Sequence, residues 1–141
     1  MVLPSKSQLR TFLYSSHLNG YSSGNRGTLQ KDGSRTVAYS KGNWEYQDNY
    51  FGGNPFGGRE VVFFNGKPLY LMSYYGALSA GVVDIERVFC FLRKALCGSP
   101  KANPYRGPKS FCLGSLAYRN NWSGSLSGFS GEEAIWRMEI G

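Results

Sequence analysis

The sequence predicts an α+β domain: a curved antiparallel sheet of two pseudo-repeated strand units, with one main helix on a face and a short N-terminal helix. The 141 residues suit one domain, and 16% aromatic residues with 19 glycines are typical of short strands and tight turns. One strand–loop–strand motif occurs twice, and an apolar stripe at helical spacing separates its two copies. We therefore expect a single domain, 1–141, whose repeat-like halves at about 35–76 and 106–141 are joined by a helix at 82–97.

Both helices are predicted from start signals and apolar spacing. Ser5 and Gln8 have the spacing of a capping box, which places the first helix at about 5–16. The second helix has the apolar stripe Ile85, Val88, Phe89, Leu92 and Leu96. His17, the only histidine, is expected to lie exposed at the end of the first helix. A lone histidine excludes a histidine-cluster site, so no metal is predicted.

The repeated motif begins with an aromatic strand. After a long loop over 20–42, with a short strand near 37–39, the aromatic and polar residues of 44–50 alternate and predict a strand with one aromatic face. The glycine-rich connection at 52–58 lacks the Gly-Lys-Ser/Thr ending of a phosphate loop. No nucleotide and no other cofactor is therefore predicted.

Each copy of the motif ends in a strand that carries a glutamate. These glutamates, Glu60 and Glu133, occupy equivalent positions. Two such carboxylates could serve as general acid and base, act as oxygen ligands for a metal, or bind another ligand. Alternatively, each could accept amide donors of its glycine loop or pair with an arginine, and we favour this structural interpretation. Arg35 and Arg106 lie at similar distances before the first-strand tyrosine of each copy, which indicates an Arg–Glu pair or an anion site in each half.

The aromatic side chains are the remaining candidates for binding. They could pack in the core, line a small-molecule pocket or stack on bases. Stacking on nucleic acid requires basic side chains among the rings, whereas the strand at 44–50 is neutral to acidic, which disfavours nucleic acid. The candidate ligand-binding aromatic residues are Trp44, Tyr46, Tyr74 and Tyr118.

Asn65-Gly66 predicts a hairpin with a two-residue type I′ turn, because both residues tolerate positive φ. An unbroken ladder from this turn gives the pairs Phe64–Lys67, Val62–Leu69 and Glu60–Leu71. Pro68 lacks an amide hydrogen, so the outer side of its strand should be a sheet edge. Both faces of the hairpin are apolar, and the helix at 82–97 is expected to cover only one of them.

The net charge of +7 is spread along the chain without a basic block, which indicates a solvated surface or, as the alternative, attraction to nucleic acid or an acidic partner. Cys90 and Cys97 would lie on one helix roughly 10 Å apart, beyond the reach of a disulfide. Together with the lack of a signal peptide, this predicts a reducing, cytoplasmic setting. No apolar run approaches the ~18 residues of a membrane span, so no membrane partner is expected.

Four motifs of the chain are distinctive: Trp44-Glu-Tyr46-Gln-Asp48, Phe56-x-Gly58-x-Glu60, Asn65-Gly66-Lys67-Pro68 and Tyr105-Arg106-Gly107-Pro108. With them the chain resembles a small family of bacterial and archaeal proteins catalogued as a domain of unknown function. The resemblance covers roughly residues 9–141, although residues 18–22 depart from the usual pattern. Family members occur alone or behind an Xre-type helix-turn-helix domain, which implies a relation to bacterial regulators. This sequence has no helix-turn-helix, so DNA reading is not implied for it.

These observations favour a non-enzymatic ligand-sensing or protein-interaction module. The uncovered sheet face would bind a small apolar or aromatic ligand or a second copy of the chain, forming a homodimer. The alternative is a small hydrolase or nuclease that uses Glu60 or Glu133 with Arg35 or Arg106. That alternative requires the two glutamates to meet in one cleft beside an arginine.

Overall fold

A computed structural model describes residues 2–21 and 24–138. The elements within them are α1 (Lys6–Gly20), β1 (Thr28–Leu29), β2 (Arg35–Lys41), β3 (Trp44–Phe51), β4 (Phe56–Phe64), β5 (Lys67–Gly76), α2 (Ile85–Cys97), β6 (Ser110–Leu113), β7 (Leu116–Ser125) and β8 (Gly128–Arg137). The predicted α+β class is confirmed. The strands form two antiparallel sheets, ordered β1-β2-β3-β4-β5 and β6-β7-β8, where the sequence indicated one sheet.

The described residues form two compact units. The central unit is 25–85 and holds the five-stranded sheet; the terminal unit combines the described residues of 1–24 and 86–141 and holds the three-stranded sheet. The predicted repeat-like halves, 35–76 and 106–141, therefore fall one in each unit. The loop predicted over 20–42 contains a longer strand than expected, because β2 pairs along its whole length with β3.

Helix α1 starts at the predicted capping box. The Ser5 amide donates to Gln8 Oε1 at 2.8 Å, and the Gln8 amide donates to Ser5 Oγ at 3.1 Å. The helix continues to Gly20, beyond the predicted end, so His17 lies within it and on the same face as the buried Leu13. The prediction of an exposed histidine is therefore wrong: His17 is 0% exposed, and its Nδ1 lies 2.9 Å from Ser99 Oγ.

The β4–β5 hairpin has the predicted turn but a different register. Asn65 and Gly66 have φ values of 49° and 77°, as a type I′ turn requires. The ladder then shifts by one residue between Val62 and Phe63, which is a β-bulge. The resulting pairs are Val62–Tyr70, Glu60–Met72 and Gly58–Tyr74. The predicted pairs Val62–Leu69 and Glu60–Leu71 are wrong, since a one-residue shift moves every later side chain to the opposite face.

One face of the five-stranded sheet is buried. Cross-strand pairing aligns Val37, Asp48 and Glu60 in one row, and Tyr46, Val62 and Tyr70 in the next. All six side chains are buried, although two of them are carboxylates. Strand β5 is an edge of this sheet, as Pro68 predicted.

Helix α2 packs on the three-stranded sheet. Phe91 and Ala95 bury against Tyr118, and the partly buried side chains around them are Leu92, Phe111, Leu116 and Ile135. The helix begins at Ile85, three residues after the predicted start. Its buried residues are Phe91, Ala95 and Leu96. Of these only Leu96 belongs to the predicted apolar stripe, so the buried face of the helix is rotated from the predicted one.

Candidate functional site

The strand pairs β3–β4 and β7–β8 have the same pattern of cross-strand pairs, which we call the strand frame. In the central unit Tyr46 pairs with Val62 and Asp48 with Glu60; in the terminal unit Tyr118 pairs with Ile135 and Asn120 with Glu133. Glu60 and Glu133 therefore occupy the equivalent positions that the sequence predicted. The pairing next along each ladder, Tyr50–Gly58 and Trp122–Gly131, is also equivalent.

Gly58 and Gly131 are both glycines because neither position has room for a side chain. A Cβ at Gly58 would lie 2.5 Å from the Asn49 carbonyl oxygen, and one at Gly131 would lie 2.5 Å from the Asn121 carbonyl oxygen. Any side chain would force the strands apart at that point. The repeat thus reproduces a close backbone approach as well as a sequence motif.

Glu133 is held by two donors. The Arg106 Nε–H donates to Oε1 at 2.8 Å, and the Tyr118 hydroxyl donates to Oε2 at 2.6 Å. Tyr118 also accepts the Gly107 amide at 3.1 Å. Burial, reinforced by the negative charge of Glu133, raises the pKa of Tyr118 far above its usual range, so the hydroxyl keeps its proton. The predicted Arg–Glu pair is present in this half.

The segment that carries Arg106 is fastened to strand β7. Asn120 Nδ2 donates to the carbonyl oxygens of Tyr105 at 2.7 Å and Gly107 at 3.1 Å. Arg106 has a φ of 77°, a left-handed conformation that is uncommon outside glycine, and its side chain is only 7% exposed. These contacts give the Arg106–Glu133–Tyr118 cluster the character of a structural support for the 104–107 segment.

Glu60 has different surroundings. It is 0% exposed, and the carboxylate directly opposite it on β3 is Asp48, which is 2% exposed. The Tyr74 hydroxyl donates to Asp48 Oδ1 at 2.5 Å. Where the terminal unit has Asn120, the central unit therefore has a second carboxylate. Asp48 was not among the predicted site residues, although its place in the repeated motif, aligned with Asn120, was a usable signal.

Arg35 does not repeat the contact of Arg106. Its Nη1 donates to the Gly27 carbonyl oxygen at 3.2 Å. The pairing that aligns Tyr39 with Phe111 carries Arg35 onto Gly107, one residue past Arg106. Arg35 and Arg106 thus lie in different settings, and among the described residues the ion pair of the terminal unit has no counterpart that uses Arg35.

The candidate aromatic residues are mostly parts of the packing. Tyr46 and Tyr118 are 0% exposed. Trp44 is half-buried and lies edge-on to Phe64 with ring centroids 4.9 Å apart. Tyr74 is half-buried and bonded to Asp48. In the terminal unit Tyr105 stacks on Phe129 at 4.3 Å, a contact that sequence reasoning did not anticipate.

The described part of the chain has neither a metal-binding cluster nor a membrane-spanning helix. No group of three or more histidine, cysteine, aspartate or glutamate residues there is arranged to hold a metal ion. None of the described helices has the length and apolarity to span a membrane. The three cysteines, Cys90, Cys97 and Cys112, are free thiols.

The edge strands differ in how they are protected. Among the described strands β1 has two residues and β6 has four, whereas β5 and β8 each have ten. Strand β8 carries Glu132, Glu133 and Arg137, but β5 has no charged residue after Lys67. Leu71 and Tyr75 on β5 are 68% and 77% exposed. A long, uncharged edge with exposed apolar side chains is the form that readily pairs with another strand.

The fold and these contacts define a small α+β protein with a doubled strand frame and one unprotected sheet edge. The chain belongs to the family described as Domain of unknown function (DUF5680), which matches residues 48–140. No curated protein matches the chain. No solved structure matches it either.

Proposed function

We propose that this protein is a non-enzymatic interaction module that binds an extended polypeptide along strand β5. The observation that carries the proposal is the β5 edge itself, which is ten residues long, uncharged after Lys67 and apolar at Leu71 and Tyr75. A strand added there would bond to the outward main-chain groups of β5 and place alternate side chains beside Leu71 and Tyr75. This is recognition by β-augmentation.

The contacts of the glutamates support binding over catalysis. Both carboxylate oxygens of Glu133 accept internal hydrogen bonds, from Arg106 and Tyr118. Glu60 is completely buried, which withholds it from a substrate. A general acid or base must come within hydrogen-bond distance of the reacting group, so the hydrolase or nuclease alternative has less support.

We also infer a regulatory role and a cytoplasmic location for this protein. The resemblance to domains that stand behind helix-turn-helix regulators supports a regulatory role in which binding at β5 is the signal. Free thiols at Cys90, Cys97 and Cys112 support a reducing, cytoplasmic location in a bacterial cell. A second copy of the chain and a small apolar ligand are the competing occupants of the exposed residues of β5.

A peptide-display selection on the purified protein tests the proposal. Random ten-residue peptides that bind should lose binding to Leu71→Lys and to Tyr75→Lys, because a lysine at an edge opposes strand addition. Leu113→Lys, the same change on the β6 edge, is the matched control and should leave binding unchanged. Circular dichroism of each variant checks that the fold is intact.

Two results would overturn the proposal. One is a selection that yields no binding peptide. The other is a set of peptides that bind Leu71→Lys and Tyr75→Lys as tightly as the unaltered protein. If the purified protein is instead a dimer that Leu71→Lys dissociates, the occupant of the edge is a second copy.

A further inference from the structure

Arg59 lies on β4, the strand next to β5, opposite the middle of β5. On β4, Val61 pairs with Leu71, Arg59 with Ser73 and Gly57 with Tyr75. The side chains of Leu71, Ser73 and Tyr75 thus share a face with Arg59, which lies between the two apolar side chains in the direction of the strand. Because Ser73 is small, little separates Arg59 from the open edge on this face.

Arg59 is also available for an external partner. It is exposed, and within the described residues it makes no ion pair or side-chain hydrogen bond. The acidic residue on the same face, Glu45, lies one strand further from the edge and accepts a bond from Gln47 at 2.6 Å. The charge presented beside β5 is therefore positive, in a chain whose net charge is +7.

We propose that the polypeptide bound at β5 is an extended segment with an acidic residue between two apolar ones at alternate positions. The outer two side chains pack on Leu71 and Tyr75. The central carboxylate lies beside Ser73 and pairs with Arg59. Two strand spacings, about 10 Å, separate Arg59 from the added strand, a span that an arginine and a glutamate side chain bridge together. This inference rests on the proposed function and adds the chemistry of the partner.

The charge at Arg59 also disfavours a second copy as the occupant. In a two-fold antiparallel pairing of β5 strands each copy would present its own β5 side chains, which are uncharged after Lys67. Neither Arg59 would then meet a carboxylate from the partner's edge strand. An acidic–apolar peptide satisfies both the apolar residues and the arginine, so it complements this edge better.

A charge-swap experiment tests the inference. Two synthetic peptides, Thr-Val-Thr-Glu-Thr-Val-Thr and the same sequence with Lys in place of Glu, are titrated into the protein by NMR. The Glu peptide should shift the amide signals of β5 and bind about tenfold more tightly than the Lys peptide. Arg59→Glu should reverse this order. Lys31→Glu, an equal charge reversal in the turn between β1 and β2, is the matched control and should preserve it.

The outcomes separate this inference from the proposed function. If both peptides bind at β5 with equal affinity and Arg59→Glu changes neither, the partner's acidic residue is refuted while strand addition at β5 stands. If neither these peptides nor the displayed ones bind at β5, the proposed function fails as well. If Lys31→Glu has the same effect as Arg59→Glu, the attraction is only that of the net charge and the specific contact is refuted.

Discussion

Removing the carboxylate of Glu133 should destabilise the terminal unit. In Glu133→Ala the Arg106 guanidinium, with a side chain only 7% exposed, keeps its charge but loses its ion pair with Glu133. The Tyr118 hydroxyl, which is buried, loses its acceptor at the same time. Breaking a buried ion pair from one side typically costs about 3–5 kcal/mol. Glu133 is 23% exposed, which places the expected loss near the lower end, at about 3 kcal/mol.

Urea unfolding followed by circular dichroism and tryptophan fluorescence measures this loss. Glu132→Ala is the matched control, since Glu132 is the exposed neighbour of Glu133 on β8 and should change the free energy of unfolding by less than about 0.5 kcal/mol. Glu133→Gln should lie between the two variants. Arg106 and Tyr118 donate to different oxygens of Glu133, and a glutamine replaces one of these oxygens by an NH2 group that donates. One of the two donors then faces another donor, so the expected loss is about 1–3 kcal/mol.

A double-mutant cycle shows whether the loss arises from the hydrogen bond to Tyr118. Tyr118→Phe removes the hydroxyl and keeps the ring, and together with Glu133→Gln it should show a coupling of about 1 kcal/mol. Additivity within about 0.3 kcal/mol would mean that the 2.6 Å contact contributes no stability. A Glu133→Ala variant as stable as Glu132→Ala would refute the structural role of the whole cluster.

Three further predictions concern the terminal unit. Because burial raises the pKa of Tyr118 in the folded state, the stability that its protonated hydroxyl contributes is complete below the unfolded pKa of about 10 and declines as the pH rises above it; urea unfolding should therefore show the unaltered protein losing stability more steeply than Tyr118→Phe above about pH 10. Gly131→Ala places a Cβ 2.5 Å from a neighbouring carbonyl oxygen and should cost about 1–3 kcal/mol in thermal unfolding, whereas Gly128→Ala, with no atom within 4 Å, should be nearly neutral. Cys112 is exposed, while burial raises the pKa of the half-buried Cys97, so mass spectrometry after iodoacetamide treatment at pH 8 should find Cys112 alkylated first; equal rates would contradict the burial of Cys97.

The strand frame was predictable because it follows from local chemistry. Alternation at 44–50 identified β3, Asn65-Gly66 identified the turn, and the repeated motif placed Glu60 and Glu133 in equivalent positions. The register beyond the turn was not predictable in this way. A bulge adds one residue to one strand without any required sequence change, and at Val62–Phe63 the sequence remains apolar on both sides of the shift.

Contacts between distant segments were predictable only in part. Arg106–Glu133 followed from charge and spacing, because a guanidinium and a carboxylate in the same half are natural partners. The contact between His17 and Ser99 joins residues 82 positions apart and depends on the extension of α1 to Gly20. Helix ends are weakly determined by local sequence, so an error of one turn was enough to turn a buried histidine into an exposed one.

The division between repeated and unrepeated structure bears on where function lies. The paired strands β3–β4 and β7–β8 share a glutamate, a close-packed glycine and a buried tyrosine, so these shared positions meet requirements of the sheet itself. In the described chain β5 has no equivalent, since β8, the counterpart of β4, is the edge of its own sheet. That edge carries charges which resist pairing, whereas β5 exposes Leu71 and Tyr75 without them. A partner strand added to β5 would cover these apolar side chains, which is why we propose that binding takes place at β5 and not at the glutamates.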